Sequence, residues 1–395
     1  MRNGARIGWL RLALIAAATL VLAAGALAQA PQKAKLPKPR QLDSDLTFRR
    51  DPATGELNGT LPGTAASDVP ATAGSISVST QIVPVTCSVT DAMGAAVRGL
   101  TRADFRVFDD GVAQTIDYFN ASTETAGVAL VMDASPSVLR DTDEMREAAR
   151  ALVDSLSSSD QIAVVDFSAH TYLQLPFSSD WGLIRAAVAR VDARQLLADT
   201  GGSNIYQALF LVARDVFAGR TGRKAIVLLT DGEDTGLGLT LDPATSAPRR
   251  GWPADRLTFE DVARALAAAD IQVFAVSTES RPKIMTAEWL AKHASSTLVV
   301  PAAREEKIPP YTLYLAELVR RTGGQLYFIR EANTLADTFQ QIALKIRAEY
   351  TLGFSPVGAD GAAVRTGWHQ LSVNVIGHGD PTVVHRMAYY VPKAK

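Results

Sequence analysis

In this 395-residue chain, five side chains that offer oxygen ligands have the types and spacing expected of a metal site. They fall in three segments, VALVMDASPS, GGSNIYQAL and AIVLLTDGEDTG, which contain a D-x-S-x-S pattern, a Gly-Gly-hydroxyl pattern and a T-D-G pattern. Carboxylates and hydroxyls are hard ligands that suit Mg²⁺, Mn²⁺ or Ca²⁺, whereas zinc and copper more often use Cys or His. The predicted metal ligands are Asp133, Ser135, Ser137, Ser203 and Asp231.

Strands and helices alternate between residues 127 and 349, which predicts a doubly wound, mostly parallel, Rossmann-like α/β sheet covered on both faces. Apolar runs end at Asp133 and at Asp231, and open α/β sheets bind their ligands at the carboxyl ends of strands. Strands are predicted at residues 128–132, 161–167, 172–177, 224–230, 271–277 and 325–329. Helices are predicted at residues 139–156, 181–191, 205–217, 259–269, 311–321 and 334–347.

The three patterns, in this order and in these strand contexts, resemble those of the von Willebrand factor type A family, over about residues 127–350. The resemblance implies a metal-ion-dependent adhesion site at the five ligands, completed by an acidic side chain of a partner. It also implies that the strands ending at Asp133 and Asp231 are neighbours. The family usually has Thr where this chain has Ser203, and Ser keeps the oxygen with a looser rotamer.

Neighbouring strands would bring the two carboxylates together. Two anions about 6 Å apart repel by about 3 kcal/mol at an effective dielectric constant of 20, a cost that a divalent cation or protonation removes. Three hydroxyls beside two carboxylates favour magnesium, with manganese or calcium as the other candidates. The alternative is that DASPS is only a strand-to-helix turn, in which serine caps free N–H groups.

Two long connections, residues 232–258 and 278–310, leave carboxyl ends of predicted strands. Long loops are usually functional or disordered, and Arg and Trp are enriched at interfaces. We therefore predict a selectivity rim around the ion; the alternative is a mobile insertion without function. The predicted rim residues are Glu233, Asp234, Arg249, Arg250 and Trp252, with Trp289 in the second loop.

The flanks of this domain, residues 75–122 and 350–395, carry short segments that alternate with a period of two. Neither flank has enough strands for a β-sandwich, so the two are predicted to combine into one sandwich-like module. Cys87 keeps step with buried positions and is predicted to be a structural thiol. His369, His378 and His385 are predicted to lie at the surface of the C-terminal segment.

The first residues predict export. Three arginines precede an apolar run that ends near Ala28, which is typical of a signal peptide over residues 1–28. An uncleaved anchor is the alternative, although a span needs roughly 20 apolar residues and this run is shorter. Residues 29–74 are predicted to be a disordered linker. The protein is therefore expected in the periplasm, on the cell surface or outside the cell, with no transmembrane helix in the mature chain.

Charge and motifs narrow the classes of function. With 40 basic and 41 acidic residues, the chain gives no electrostatic reason to expect nucleic acid. No nucleophile elbow, phosphate loop, dinucleotide fingerprint or H-E-x-x-H pattern is present, so an enzyme is not expected. The predicted function is binding of a protein or glycan through the metal. A metal-dependent hydrolase and a structural domain with a vestigial site remain as alternatives.

Overall fold

The strands that end at the predicted ligands lie side by side at the centre of a mostly parallel sheet. The computed structural model describes residues 35–44, 46–50, 57–60, 82–91, 96–121, 125–191, 202–236, 257–283, 285, 310–329, 335–346, 350–358 and 364–391. The predicted signal peptide, residues 1–28, lies outside the described residues. Residues from Pro37 onward form one unit, and the elements below belong to it.

The elements are given in chain order. The strands are β1 (Arg40–Gln41), β2 (Thr47–Arg50), β3 (Leu57–Thr60), β4 (Val83–Thr90), β5 (Phe105–Asp109), β6 (Val112–Gln114), β7 (Ile116–Asn120), β8 (Ala126–Asp133), β9 (Gln161–Phe167), β10 (Thr171–Ser178), β11 (Arg223–Thr230), β12 (Ile271–Ser277), β13 (Leu326–Phe328), β14 (Tyr350–Phe354), β15 (Gly367–Val375), β16 (Thr382–His385) and β17 (Ala388–Val391). The α-helices are α1 (Thr142–Ser155), α2 (Trp181–Arg190), α3 (Ile205–Leu211), α4 (Phe259–Ala268), α5 (Pro310–Thr322) and α6 (Leu335–Ile346).

The central sheet has the order β1-β10-β9-β8-β11-β12-β13 within the described part of the chain. Strands β9, β8, β11, β12 and β13 run parallel. At one edge β10 pairs antiparallel with β9, and β1 pairs antiparallel with β10. Every residue of β8 is buried, as expected for a strand covered on both faces. The predicted doubly wound, Rossmann-like fold is therefore confirmed.

The helices follow the predicted bounds closely, and the differences have local causes. The predicted helix 139–156 begins as a 3₁₀ turn, Pro136–Arg140, before α1 starts, because proline fixes the first turn without donating a hydrogen bond. The predicted helix 205–217 is α3 followed by a π-helical turn, Val212–Val216. Helix α4 begins with a capping box in which Thr258 and Asp261 bond reciprocally.

The residues between Pro37 and Thr60, called the leader below, depart from the prediction of a disordered linker over residues 29–74. Strand β1 extends the central sheet beside β10, and β2 and β3 form a hairpin. Leu42 is buried in the core of the α/β domain, and Phe48 packs against it. Sparse apolar residues give no sequence period, but an open sheet edge offers backbone partners that the sequence does not reveal.

The two flanks combine into one β-sandwich, as predicted. One sheet has the order β16-β4-β14-β7 and the other the order β17-β15-β5-β6, so each sheet mixes strands from both flanks. Cys87 lies in the shared core, and burial raises the pKa of its thiol to about 12, which fits a structural role. The predicted exposure of the histidines is wrong for His369 and His385, which are 3% and 7% exposed.

A polar interface joins the sandwich to the α/β domain. The buried Arg386 donates to the carbonyl oxygen of Ala267 at 3.0 Å and to that of Pro84. Trp368 Nε1 donates to Glu260 Oε2 at 2.7 Å. Because these contacts link α4 to both sheets of the sandwich, the two parts are held by specific hydrogen bonds. In the described part of the chain, no helix is long and apolar enough to cross a membrane.

Candidate metal centre

The carboxyl ends of β8 and β11 meet at one edge of the sheet. The two strands pair in parallel, with Met132 opposite Leu229, so Asp133 at the end of β8 and Asp231 just after β11 follow paired residues. Strand β9 flanks β8 on the other side, with Phe167 opposite Asp133. The strand neighbours implied by the sequence are therefore observed, and they place the two carboxylates together.

Asp133 is held by three donors although it is only 3% exposed. Its Oδ1 accepts from the backbone N–H of Ser135 at 2.9 Å. Its Oδ2 accepts from Thr230 Oγ1 at 2.6 Å and from Ser203 Oγ at 3.5 Å. Burial, and secondly the negative charge of Asp231, raise the pKa of Asp133 to about 7. Because burial and the Asp231 charge disfavour the ionised form of Asp133, a proton or a neighbouring cation stabilises this carboxylate.

The serines of the D-x-S-x-S segment face each other. Ser135 is buried, Ser137 is exposed, and their hydroxyl oxygens lie 2.9 Å apart. Ser135 occupies the N-cap position of the 3₁₀ turn, but its side chain makes no capping hydrogen bond there. The structure therefore does not support the capping alternative at Ser135, and the hydroxyl is directed to the group of oxygens instead.

Ser203 is held against the loop that follows β11. Thr235 Oγ1 accepts from Ser203 N at 3.0 Å and donates to Ser203 O at 3.1 Å, and Thr235 N also donates to that carbonyl at 2.8 Å. Gly202 makes this close approach possible. Its φ of +42° is unfavourable for residues with a side chain, and a Cβ at this position would lie only 1.9 Å from Thr235 Oγ1. Thr235 thus fixes one predicted ligand segment to the other.

Asp231 is 5% exposed, and its Oδ1 accepts from Glu233 N at 2.9 Å. The neighbouring Thr230 accepts from Gly232 N at 3.0 Å while it donates to Asp133. The T-D-G pattern is visible in the sequence, but neither Thr230 nor Thr235 was predicted to have a role at the site. Both orient predicted ligands through tertiary hydrogen bonds, and the only sequence signal was their place in the same short segment.

The rim residues divide into three groups. Glu233 is exposed beside the site, as a partner-facing residue would be. Asp234 Oδ2 accepts from Tyr206 N at 3.3 Å, so it serves the first turn of α3. The ring of Tyr311, a residue not predicted from the sequence, lies against Gly232. A Cβ at position 232 would be 3.2 Å from Tyr311 Cδ2. Burial, then the charges of Glu233, Glu279 and Asp231, raise the pKa of Tyr311. Arg249, Arg250, Trp252 and Trp289 lie outside the described residues.

A second cluster of ionisable groups lies in the sandwich. His369 Nδ1 is 3.0 Å from Asp109 Oδ1 and 3.1 Å from Asp110 Oδ2, and its Nε2 is 2.7 Å from the carbonyl oxygen of Arg365. Tyr389 donates to Asp109 Oδ2 at 2.7 Å. Both ring nitrogens face protein oxygens, which leaves neither nitrogen directed to a metal. This cluster is a buried hydrogen-bonded network of the sandwich.

The donor set at the sheet edge fits a hard divalent cation. It contains five side chains that offer oxygen and none that offers nitrogen or sulfur. Two of the five are buried carboxylates, and Thr230 and Ser203 already donate to that of Asp133. The residues that would hold the ion are Asp133, Ser135, Ser137, Ser203 and Asp231, directly or through water.

These observations define the class of protein: a doubly wound α/β domain with a candidate metal-ion-dependent adhesion site at the carboxyl ends of its central strands. The family model of the von Willebrand factor type A domain matches residues 128–307. The chain therefore carries a von Willebrand factor type A domain.

Solved structures similar to the chain include three from different sources. An aerotolerance-related membrane protein from Bacteroides fragilis is 17% identical, with 56% of this chain and 98% of that chain covered and a TM-score of 0.38. A von Willebrand factor type A protein from Catenulispora acidiphila is 15% identical, with 72% of each chain covered and a TM-score of 0.37. Proximal thread matrix protein 1 from the mussel byssus, with a zinc-occupied MIDAS motif, is 16% identical, with 60% and 49% covered and a TM-score of 0.37. Comparison with curated protein sequences finds no match.

Proposed function

We propose that this chain is an exported protein that binds a protein or glycan partner through a divalent metal, with magnesium as the ion. The observation that carries the proposal is Asp133, a buried carboxylate beside Asp231 that is already oriented by Thr230 and by the Ser135 amide. Such an arrangement is costly without a counter-charge and favourable with one. The role is adhesion or scaffolding in the cell envelope.

The residues of the site contribute to metal binding in different ways. Asp133 and Asp231 supply negative charge, and Ser135 and Ser203 supply buried neutral oxygens. Ser137 is exposed, so the site opens to solvent on its side. A bound magnesium ion would supply a coordination position for an outside oxygen, such as an acidic side chain of a partner or a glycan hydroxyl. Glu233 and Tyr311 are the described side chains placed to contact that partner.

Calorimetry with Mg²⁺, Mn²⁺ and Ca²⁺ tests the metal site directly. We expect heat of binding for the wild-type chain, its loss in Asp133→Ala, and its retention in Asp154→Ala, which removes an acid of an exposed ion pair with Arg185. Absence of heat and of a thermal shift with all three ions would contradict the proposal and favour a vestigial site held by packing alone.

The identity of the partner and the question of enzyme activity need separate measurements. Chelator-sensitive capture of envelope components, lost in Asp133→Ala, would support adhesion and identify the partner. Shortening residues 239–252, which contain the predicted rim residues Arg249 and Arg250, should abolish capture while magnesium binding persists. Turnover in a broad substrate screen that vanishes in Asp133→Ala would instead favour the metal-dependent hydrolase.

A further inference from the structure

The leader lies against the helix that follows Ser203. Strand β1 pairs with β10, Leu42 N donates to Thr171 O at 2.9 Å, and Leu42 is only 5% exposed. Further along, the ring of Phe48 meets that of Phe210 on α3 edge-on, with centroids 5.6 Å apart. The leader is thus anchored at the sheet edge and on α3, and Asp43, between the two anchors, contacts the turn after β9 and α3.

Asp43 lies between these anchors, and its side chain is 4% exposed. Its Oδ2 is 3.0 Å from His170 Nδ1 and accepts from Gln207 Nε2 at 3.2 Å. His170 belongs to the turn between β9 and β10, and Gln207 lies on α3. Both contacts end on Oδ2, so a single buried carboxylate oxygen joins two separate elements, and such a contact is costly to remove.

The same two elements hold Ser203. Asn204, the N-cap residue of α3, donates from its backbone N to Ser168 O at 3.0 Å and from Nδ2 to Ala169 O at 2.7 Å. Both acceptors belong to the turn that contains His170. The turn and α3 therefore close around the Ser203–Asn204 peptide, and Asp43 connects the turn and the helix on the side of the leader.

We propose that Asp43 is a positioning residue for the metal site. By bonding His170 and Gln207 together, it fixes the turn after β9 against α3 and so fixes the position of the Ser203 hydroxyl relative to Asp133. Residues that orient ligands without touching the metal typically change metal affinity by about 10-fold to 100-fold. This role rests on the proposed metal function, but the ordering of the Ser203 segment can be measured without metal.

The test compares four variants of the whole chain. Asp43→Ala removes both hydrogen bonds, and Asp43→Asn keeps one oxygen acceptor in the same shape. Asp160→Ala is a matched control, because Asp160 is also buried and also accepts two hydrogen bonds, from Ala126 N and Ser157 N, at the amino-terminal end of β8, the opposite end from Asp133. Phe48→Ala loosens the packing of the leader and leaves Asp43 unchanged. The readouts are magnesium affinity by calorimetry and amide hydrogen exchange over residues 203–208 in the absence of metal.

We expect Asp43→Ala to weaken magnesium binding by about 10-fold or more and to speed exchange over residues 203–208, with Asp43→Asn intermediate. Asp160→Ala should lower thermal stability and leave both readouts near wild type. Unchanged exchange in Asp43→Ala, or equal losses in Asp160→Ala, would overturn the positioning role. If the wild-type chain binds no magnesium, the proposed function fails, while the exchange measurement still decides whether Asp43 orders the Ser203 segment.

Discussion

Asp133 owes part of its orientation to residues far from it in the sequence. Its Oδ2 accepts from Thr230, which is 97 residues away in the chain, and that hydroxyl is itself oriented because it accepts from Gly232 N. A hydroxyl that donates to one group while it accepts from another has no freedom to rotate. The carboxylate is therefore pre-organised for a cation by the strand beside it.

Replacing Thr230 tests this pre-organisation. Thr230→Val keeps the shape of the side chain and removes the donor to Asp133, so we expect magnesium affinity to fall by about 10-fold, measured by calorimetry. Loss of a buried hydrogen bond should also cost about 1–3 kcal/mol of unfolding free energy. Thr230→Ser retains the hydroxyl and should remain near wild type; equal losses in both variants would show that packing, not the hydroxyl, matters.

Asp166 predicts a pH dependence of stability that is independent of the metal. Burial raises its pKa to about 6, above the value of 3.8 of an exposed Asp, so the folded state holds a proton that the unfolded state has lost. This stabilising contribution is complete below about pH 4 and is lost as the pH rises to about 6; a shift of about two units corresponds to about 3 kcal/mol.

We therefore expect the difference in unfolding free energy between wild type and Asp166→Asn to change by about 3 kcal/mol between pH 4 and pH 7. Denaturant titrations with chelator present measure it, and subtraction of the variant removes the contribution of other groups. A difference that stays constant over this range would contradict the buried, protonated carboxyl. Asn at this position can still accept from Gln174, which bonds Asp166 at 2.7 Å.

At the scale of elements, the turn before α3 depends on a glycine at Gly202. We expect Gly202→Ala to cost more stability than Gly219→Ala, since both have positive φ but only Gly202 has Thr235 in the way of a Cβ. The difference should be about 1–3 kcal/mol, the cost of broken buried hydrogen bonds, and thermal melts measure it. Equal shifts in the two variants would mean that Thr235 moves aside freely.

Much of the arrangement of strands and helices was predictable from the sequence. The apolar runs that became β8 and β11 predicted the sheet, because periodicity is a property of adjacent residues. The patterns at their ends identified the candidate ligands, whose binding of metal stays a prediction. The docking of the leader was not predictable, because Leu42 and Asp43 meet partners more than a hundred residues away. The same holds for Thr235 and for Asp234, whose roles depend on which loops meet.

At the scale of the whole molecule, Arg386 joins the sandwich to the α/β domain. Arg386→Ala leaves the carbonyl oxygens of Ala267 and Pro84 without this donor, so we expect a loss of about 1–3 kcal/mol for each hydrogen bond, or separate unfolding of the two parts, seen by calorimetric melts. Arg365→Ala removes an exposed ion pair with Asp110 and should cost about 1 kcal/mol or less. Equal effects of the two substitutions would argue against a specific interface.

The mixed sandwich also sets an order of assembly. Strand β4 pairs with β14, Cys87 opposite Tyr350, across the whole of the inserted α/β domain. During synthesis from the amino terminus, β4 and β7 must wait for β14, which ends at Phe354, and β5 pairs early with β6 but must wait for β15. Contacts of such long sequence separation form slowly. The α/β domain, whose strands have nearer partners, can fold first and bring its two ends together. Folding of the α/β domain then allows the strands of the two flanks to pair into the sandwich.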